Sequence, residues 1–374
     1  MNIEELLQLT VAKEASDLHL TVPSPPVLRI DGALRPLGEL PGVTPQYAEE
    51  ALEHLTTESQ RERFYSELEL DLAYNVPGLA RFRVNAFFQQ GTISIAIRRI
   101  PFEVPYIDEL GLPSVCKTLA LKTKGLVLVT GPTGTGKSTT LAAMISHLNR
   151  TDTRHVITIE DPIEYVYHNE MCIIAQRDLG DDFTSFSVAL RHTLRHDPDV
   201  ILVGEMRDLD TISTAISAAE TGHLVFSTVH TVSAPQTIDR LVDVFPAHQQ
   251  AQIRFQLSQV LEGVLSQRLL PRAGGKGRVA AFEIMLGTDA IRNLIREART
   301  DQIVTYLQTG RQYGMQTMDQ ALEDLVRSGT VTLEEALTRS SNPDELRKLI
   351  VSIPSLAWEK RAAQAPSCIT ATGT

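Results

Sequence analysis

The segment GLVLVTGPTGTGKST, residues 125–139, decides the fold of most of this chain. Its first seven residues are a continuous apolar run bounded by glycine, which is typical of a buried strand in an α/β sheet. Gly131, Gly136, Lys137 and Ser138 then satisfy the pattern G-x-x-x-x-G-K-[ST], and a helical pattern begins at Ser138. A glycine turn with an incidental lysine is the alternative, but the order of strand, loop and helix favours a loop that binds phosphate.

Each position of this loop has a task in phosphate binding. Glycines let successive backbone N–H groups converge on a β-phosphate at a helix N-terminus. Lys137 bridges β- and γ-phosphate oxygens, and the Ser138 hydroxyl is a ligand of Mg²⁺. The sequence therefore predicts that ATP and Mg²⁺ bind here. The predicted nucleotide-binding residues are Gly131, Thr133, Gly134, Thr135, Gly136, Lys137, Ser138 and Thr139.

Three further apolar runs are similar to the strand before this loop. They are HVITIED at 155–161, VILVGE at 200–205 and HLVFSTVH at 223–230, each next to a helical pattern. Short continuous apolar runs of this kind predict buried parallel strands. We therefore expect an α/β domain over residues 115–353, with a strand VAAFEIM at 279–285 and several helices towards residue 350.

Carboxylates lie at the ends of two of these predicted strands. Glu205 ends VILVGE, where an acid holds a magnesium-bound water or orients the attacking water, and a solvated acid is the alternative. Glu160, Asp161 and Glu164 lie in TIEDPIEY, residues 158–165. Three clustered carboxylates repel one another unless a metal or a cation is near. An acidic turn around a proline explains them nearly as well.

Two histidines, His223 and His230, flank the predicted strand at 223–230. A histidine at a strand end more often caps or packs than catalyses. His230 is at the carboxyl end, where ligands bind in open α/β sheets. The sequence therefore makes it a candidate sensor of the γ-phosphate.

The first hundred residues have a different pattern. An amphipathic helix is predicted over 3–12, short strands at 17–22 and 25–32 with a tight turn at Asp31-Gly32, and a helical stretch over 45–67. Residues 69–100 alternate in three short runs, which predicts an antiparallel meander. We expect a small α+β domain at 1–100, a linker at 101–114 and a disordered tail at 354–374.

Arginines are concentrated on the predicted meander. Arg81 and Arg83 are two apart in a strand and so share a face, and Arg98 lies near the end of the last run. Arginines on such a sheet are usually solvated. The alternative is that they reach the γ-phosphate of a neighbouring copy, so that hydrolysis would depend on assembly.

Composition limits the function further. There are 35 Lys and Arg against 46 Asp and Glu, and the net charge of −11 argues against nucleic acid as the main partner. Three scattered cysteines indicate neither a disulfide framework nor a zinc site. No secretory signal and no run of 18 apolar residues is present, so we expect a cytoplasmic protein that reaches a membrane only through a partner.

Several of these motifs together resemble those of the secretion-type hexameric ATPases, and within them the retraction ATPases of type IV pili. The resemblance covers nearly the whole chain. The matching segments are ASDLHL (15–20), GPTGTGKST (131–139), TIEDPIEY (158–165), RHDPDVILVGEMRD (195–208), AAETGHLVFSTVHT (218–231), DVFPAHQQ (243–250), GRVAAFEIM (277–285) and AIRNLIRE (290–297).

The resemblance implies a PAS-like N-terminal domain, a RecA-like P-loop ATPase domain and a homohexamer with ATP between the two domains. It implies that arginines of the small domain reach this ATP, and that Glu164 is the base that activates water. It also implies that Glu205 belongs to the Walker B strand and that His223 to His230 form a histidine motif. The implied partner is a platform protein of the inner membrane, so that the ATPase is peripheral at its cytoplasmic face.

The segment AIRNLIRE is the most specific part of the resemblance, because in retraction ATPases it is associated with retraction rather than with hydrolysis. Its apolar residues have helical spacing and predict the packed face of a helix, whereas the charged and amide side chains form the other face. The motif consists of Ala290, Ile291, Arg292, Asn293, Leu294, Ile295, Arg296 and Glu297.

Four other functions are compatible with part of this pattern. An accessory retraction ATPase shares most core motifs. A pilus-assembly or type II secretion ATPase generally carries a tetracysteine element, which three cysteines cannot form. A RecA-type nucleic-acid motor would have the same phosphate loop. A scaffold that binds ATP without hydrolysis would not need Glu164 and Glu205.

Overall fold

The computed structural model describes residues 2–30, 32–100, 104–275 and 277–351. The chain forms two compact units, Met1–Pro105 with Thr153–Asp197, and Tyr106–Asp152 with Pro198–Thr374. The first division falls inside the linker predicted at 101–114. We predicted one uninterrupted ATPase domain over residues 115–353, whereas residues 153–197 belong to the first unit. The tail predicted at 354–374 lies outside the described residues.

Thirteen strands and fourteen α-helices are formed by the described residues. The strands are β1 Asp17–Leu20, β2 Val27–Ile30, β3 Ala33–Pro36, β4 Glu69–Val76, β5 Ala80–Gln89, β6 Thr92–Ile100, β7 Gly125–Thr130, β8 His155–Glu160, β9 Ile173–Asp178, β10 Val200–Val203, β11 Leu224–Val229, β12 Leu261–Pro271 and β13 Arg278–Leu286. The helices are α1 Ile3–Ala12, α2 Pro45–Leu55, α3 Glu58–Glu67, α4 Val115–Ala120, α5 Lys137–Thr151, α6 Phe186–Thr193, α7 Leu209–Glu220, α8 Ala234–Asp243, α9 Ala247–Val260, α10 Asp289–Arg296, α11 Ile303–Thr309, α12 Met318–Arg327, α13 Leu333–Arg339 and α14 Pro343–Val351.

An antiparallel sheet organises the first hundred residues, with strand order β3-β2-β1-β6-β5-β4. Alternate residues of β5 are buried from Ala80 to Ala86. This apolar face shares one core with Leu7 of α1, Leu52 of α2 and Phe64 of α3. The helix predicted at 3–12 and the meander predicted at 69–100 are therefore confirmed.

The helical stretch predicted at 45–67 is two helices, because Thr57 begins α3 with a capping box to Gln60. This difference leaves the α+β class of the unit unchanged. The hairpin turn predicted at Asp31-Gly32 falls between β2 and β3, but Asp31 lies outside the described residues, so the turn stays a prediction.

The second unit contains five neighbouring strands in the order β13-β12-β7-β11-β10. Strands β12, β7, β11 and β10 are parallel, and β13 is antiparallel to β12. β7, β10 and β11 are buried at every position, as their continuous apolar runs predicted. The predicted strand at 279–285 is confirmed as part of β13, whereas β12 was not predicted. The expected α/β class is confirmed.

Residues 153–197 contribute the parallel pair β8 and β9 and the helix α6. This segment is tied to the N-terminal sheet by an ion pair between Arg81 of β5 and Asp178 of β9, 2.8 Å apart. The pair joins residues far apart in sequence, so no local pattern signals it.

The helices predicted before residue 350 are α10 to α14. Helix α12 packs on Leu270 and Val279 through Met318 and Leu322, in a small separate core. Over the residues whose structure is described, no helix combines the length and the apolar character needed to cross a membrane.

Candidate nucleotide-binding and catalytic site

The phosphate loop, residues 131–136, connects the buried strand β7 directly to helix α5. Gly131, Gly134 and Gly136 have φ angles of 146°, 78° and 86°, which side-chain-bearing residues rarely adopt. A Cβ on Gly131 would also lie 2.5 Å from the carbonyl oxygen of Gln267. The glycines of the motif are therefore required by backbone geometry, and α5 begins at Lys137, one residue earlier than predicted.

Lys137 is buried at the first position of α5. Its Nζ donates to the carbonyl oxygens of Gly131 at 3.0 Å and Pro132 at 3.1 Å. A phosphate would compete with these carbonyls for the ammonium, because charge-assisted hydrogen bonds to anions are the stronger ones. Ser138 follows in the first turn, where the backbone N–H groups of a helix favour an anion.

The carboxyl ends of β7, β11 and β10 meet at one edge of the sheet. Val229 of β11 is paired with Thr130, and Val203 of β10 is paired with Ser227. The residues that follow these strands are therefore neighbours. His230 Nε2 lies 3.4 Å from Glu205 Oε1, at the same edge as the phosphate loop, as the sequence predicted.

Glu205 is held as a carboxylate. Partial burial alone would raise its pKa, but a hydrogen bond from Arg207 and the charges of His230, Arg207 and Lys137 together lower the pKa below its ordinary value. Arg207 lies 2.7 Å from the second carboxylate oxygen. An anionic group that interacts with Lys137 is suited to hold a metal-bound water or to orient an attacking water.

The oxygen donors at this edge fit Mg²⁺. A hydroxyl, Ser138, and an ionised carboxylate, Glu205, are hard oxygen ligands. Mg²⁺ in nucleotide sites takes only one or two protein ligands besides phosphate and water. Within the described part of the chain, no group of three or more His, Cys, Asp and Glu side chains is arranged to hold a metal ion.

The two predicted histidines lie at opposite ends of β11. His223 precedes the strand and its Nδ1 lies 2.9 Å from the carbonyl oxygen of Ala218, in the last turn of α7. This contact indicates that His223 caps the C-terminal end of α7. It lies at the end of β11 opposite the edge that carries the phosphate loop. His230 remains the candidate for contact with nucleotide.

The three acids of TIEDPIEY have different surroundings. Glu160 ends β8 and accepts hydrogen bonds from Thr158 at 2.7 Å and Gln176 at 3.2 Å. Burial raises its pKa to about 7, and the nearby carboxylates Asp178 and Glu164 act in the same direction. Asp161 and Glu164 are exposed on the loop that follows. Both of these acids are therefore accessible to a water molecule, and the role of Glu164 as the activating base stays a prediction.

The predicted arginines share one face of the N-terminal sheet, with Arg83 directly opposite Arg98. Each is paired with an aspartate of its own unit. The pairs are Arg81 with Asp178 at 2.8 Å, Arg83 with Asp71 at 3.3 Å and Arg98 with Asp17 at 2.8 Å. For one of these arginines to contact the γ-phosphate of a neighbouring copy, its ion pair with the aspartate has to break. Arg98, with a side chain 68% exposed, is the most accessible of the three.

Gln267 of β12 is a site residue that the sequence did not reveal. Its Nε2 donates to the carbonyl oxygen of Thr135 in the phosphate loop, and its Oε1 accepts from the Thr140 hydroxyl, both at 2.7 Å. The side chain is buried. It therefore holds the loop to α5 from the neighbouring strand. In the sequence, Gln267 is a polar residue within an apolar run. This pattern indicates a site residue only once the run is recognised as strand β12.

The segment AIRNLIRE forms α10, with Ile291, Leu294 and Ile295 buried as predicted. Arg292 was expected on the open face, and its guanidinium instead reaches the end of α9. It donates to the carbonyl oxygens of Ser258 and Gln259 and lies 2.9 Å from a carboxylate oxygen of Glu262. Carbonyls in the last turn of a helix lack intrahelical partners, and a cation satisfies them well. Asn293, Arg296 and Glu297 are exposed.

Three features of this site serve the transfer of a phosphoryl group to water. They are a glycine-rich loop at a helix N-terminus, the buried Lys137 and the ionised Glu205. The chain is a P-loop ATPase. It belongs to the family described as type II/IV secretion system protein, whose model matches residues 77–338.

Individual relatives narrow the comparison. The protein named "Type IV pilus retractation ATPase PilT" of Pseudomonas aeruginosa is 50% identical over 92% of this chain and 99% of its own length. The "Type IV pilus ATPase PilU" of the same organism is 41% identical over 94% of this chain and 91% of its own. A crystal structure of the pilus retraction motor PilT with bound ADP superposes with a TM-score of 0.88 at 47% identity, covering 93% of this chain and 99% of that one.

Proposed function

We propose that this chain is the motor ATPase that couples ATP hydrolysis to retraction of type IV pili. The observation that carries the proposal is the likeness to PilT over nearly the full length of both chains, at 50% identity. The phosphate loop, Lys137 and Glu205 supply the chemistry that such a motor needs. Pilus disassembly and twitching motility are the cellular outcomes.

The nucleotide is bound by the phosphate loop and the N-terminus of α5. Lys137 exchanges its two carbonyl partners for β- and γ-phosphate oxygens. Ser138 and, through water, Glu205 would hold Mg²⁺, which supplies charge neutralisation on the transferred phosphoryl group. Glu164 takes a proton from the attacking water, and His230, next to Glu205, responds to the γ-phosphate.

The working form of the protein is a homohexamer. In the ring, arginines of one copy reach the ATP of the next, with Arg98 the first candidate because its side chain is the most exposed. Release of Arg98 from Asp17 would couple hydrolysis to assembly. Arg98→Ala should therefore lower the rate of ATP hydrolysis of assembled rings. An unchanged rate would show that Arg98 takes no part in hydrolysis.

The motor works at the cytoplasmic face of the inner membrane, peripheral to it, through a platform protein of the pilus machine. The exposed residues Asn293, Arg296 and Glu297 of α10 are accessible for such a contact. No nucleic acid partner is proposed, because the net charge is −11.

An accessory retraction ATPase is the second candidate function. The 41% identity to PilU, which also spans nearly the whole chain, supports it. The intact AIRNLIRE segment favours the principal motor. The two candidates differ in whether the protein alone sustains retraction.

The proposal is tested in cells that lack the gene, by counting surface pili and measuring surface motility. Cells are complemented with the wild-type chain or with Glu205→Gln. The expected result is more pili and lost motility in the deletion, corrected only by the wild-type chain.

Other results of this experiment would indicate a different function. Fewer or no pili would indicate an assembly motor. Unchanged pili with a second retraction ATPase present would favour the accessory role, and a deletion of both genes distinguishes that case.

A further inference from the structure

Gln176 of β9 contacts three groups around the acidic loop, which comprises residues 161–172. The N–H of Tyr167 donates to its Oε1 at 2.9 Å. Its Nε2 donates to the carbonyl oxygen of Tyr165 at 2.8 Å and to Glu160 Oε1 at 3.2 Å. One side chain therefore joins two backbone groups of the loop to the acid that precedes it.

The orientation of this amide follows from its partners. A reversed amide would place its oxygen against the Tyr165 carbonyl and the Glu160 carboxyl oxygen, and its NH₂ group against the Tyr167 N–H. Only a side chain with a donor and an acceptor at this length satisfies both backbone groups. Glutamate lacks the donor when ionised, and leucine lacks both.

The position of Gln176 in the sheet explains its reach. It is paired with Thr158 across the parallel strands β8 and β9. Residues two apart in a strand face the same side, so Thr158, Glu160 and Gln176 lie on one face at the carboxyl end of the pair. The side chain thus projects towards the loop that leaves β8.

The acidic loop needs such support. None of its twelve residues belongs to a helix or strand, so its backbone groups lack the regular partners of secondary structure. Gln176 satisfies one carbonyl and one N–H, at residues 165 and 167. The first of these is bonded directly to Glu164, so the contact limits how far the backbone of Glu164 moves.

We propose that Gln176 is a positioning residue for the ATPase reaction, which fixes the acidic loop so that Glu164 is presented to the attacking water in a constant place. This inference rests on the proposed function, in which Glu164 is the base. It assigns no contact between Gln176 and nucleotide. Loss of Gln176 should therefore slow turnover without weakening nucleotide binding.

The test compares Gln176→Leu and Gln176→Glu with the wild-type full-length chain. Steady-state kcat and KM are measured with ATP, and nucleotide affinity with a fluorescent ADP analogue. We expect kcat to fall on the order of ten- to a hundred-fold, with KM and affinity within about two-fold. The matched control is Gln8→Leu, the same change at an exposed position of α1 in the same unit, and it should leave every value unchanged.

A purely structural role gives a different pattern. In that case the melting temperature of Gln176→Leu falls, and kcat per folded protein stays at the wild-type value. This result would overturn the inference, as would a parallel loss of kcat and nucleotide affinity. The variant Gln176→Glu keeps the size of the side chain, so a kcat loss there cannot come from a cavity.

A double-mutant cycle tests whether Gln176 acts through Glu164. If it does, Glu164→Gln combined with Gln176→Leu is no slower than Glu164→Gln alone. A further loss in the double variant would contradict the inference. A wild-type protein without turnover would contradict the proposed function itself, so the two failures are distinguishable.

Discussion

The phosphate loop and the acidic loop each follow the carboxyl end of a parallel strand, but they are built differently. The phosphate loop has six residues, three of them glycines with positive φ, and runs directly into α5. The acidic loop has twelve residues and no regular structure. Each is held by one glutamine from the adjacent strand, Gln267 in the first case and Gln176 in the second.

The difference between the loops separates binding from chemistry. The short loop is shaped by backbone geometry to receive phosphate, which makes its pattern recognisable in any sequence. The longer loop presents exposed carboxylates, Glu164 among them, and no fixed spacing is needed for that task. Variants should therefore affect affinity at the first loop and turnover at the second.

Glu205→Gln should have the largest effect, because it removes the charge that orients water or metal while leaving the phosphate loop intact. We expect turnover to fall on the order of a hundred- to a thousand-fold with nucleotide affinity largely unchanged. Steady-state ATP hydrolysis and binding of a fluorescent ADP analogue measure the two quantities. Glu334→Gln, at an exposed position of α13, is the control. Loss of affinity equal to the loss of turnover would contradict this role for Glu205.

Lys137→Ala should weaken nucleotide binding directly, since a buried cation that bridges phosphates is removed. We expect the free energy of nucleotide binding to weaken by roughly 3 kcal/mol, which raises Kd about a hundred-fold. The exposed Lys124, upstream of β7 in the same unit, gives the control Lys124→Ala. Wild-type affinity in Lys137→Ala would show that phosphate binds elsewhere.

Gln267→Leu tests whether the phosphate loop needs its support from β12. Loss of the contacts with Thr135 and Thr140 should lower nucleotide affinity by about ten-fold, because the loop backbone is less well ordered before binding. The increase in melting temperature on adding ADP should shrink accordingly. Gln302→Leu, at an exposed position, is the control. An unchanged ADP-induced shift would mean that the glycines alone order the loop.

Glu160→Gln has the smallest expected effect, and it reports on the base of the acidic loop. The folded pKa of Glu160 is raised to about 7 from an ordinary value of 4.5. Between these values the folded chain keeps a proton that the unfolded chain has lost, so the contribution of this group to stability falls as the pH rises. The variant should match wild type most closely at pH 5 and be the more stable of the two at pH 8. Urea unfolding at both pH values measures the difference, and equal stability at pH 8 would contradict it.

The sequence predicted the parts of these loops that follow local rules. The strand before the phosphate loop, the glycines, and the places of Glu205 and His230 at the carboxyl ends of their strands all follow from continuous patterns in the sequence. Gln176 and Gln267 were missed because their hydrogen bonds depend on register between strands. The same reason applies to Arg292, which was predicted on an open helix face and is held by the carbonyl oxygens at the end of α9.

The contacts of Arg292 have a mechanical consequence. Glu262 pairs with Arg292 through one oxygen and with Lys122 through the other, and Lys122 lies three residues before β7 begins. Strand β7 extends about 20 Å to the phosphate loop. A pulling force on α10 would therefore load the same strand that ends at the nucleotide, through ion pairs arranged in series. Arg292→Leu should leave unloaded ATP turnover unchanged and lower the stall force of retraction in an optical-trap assay, and an unchanged stall force would show that the load takes another route.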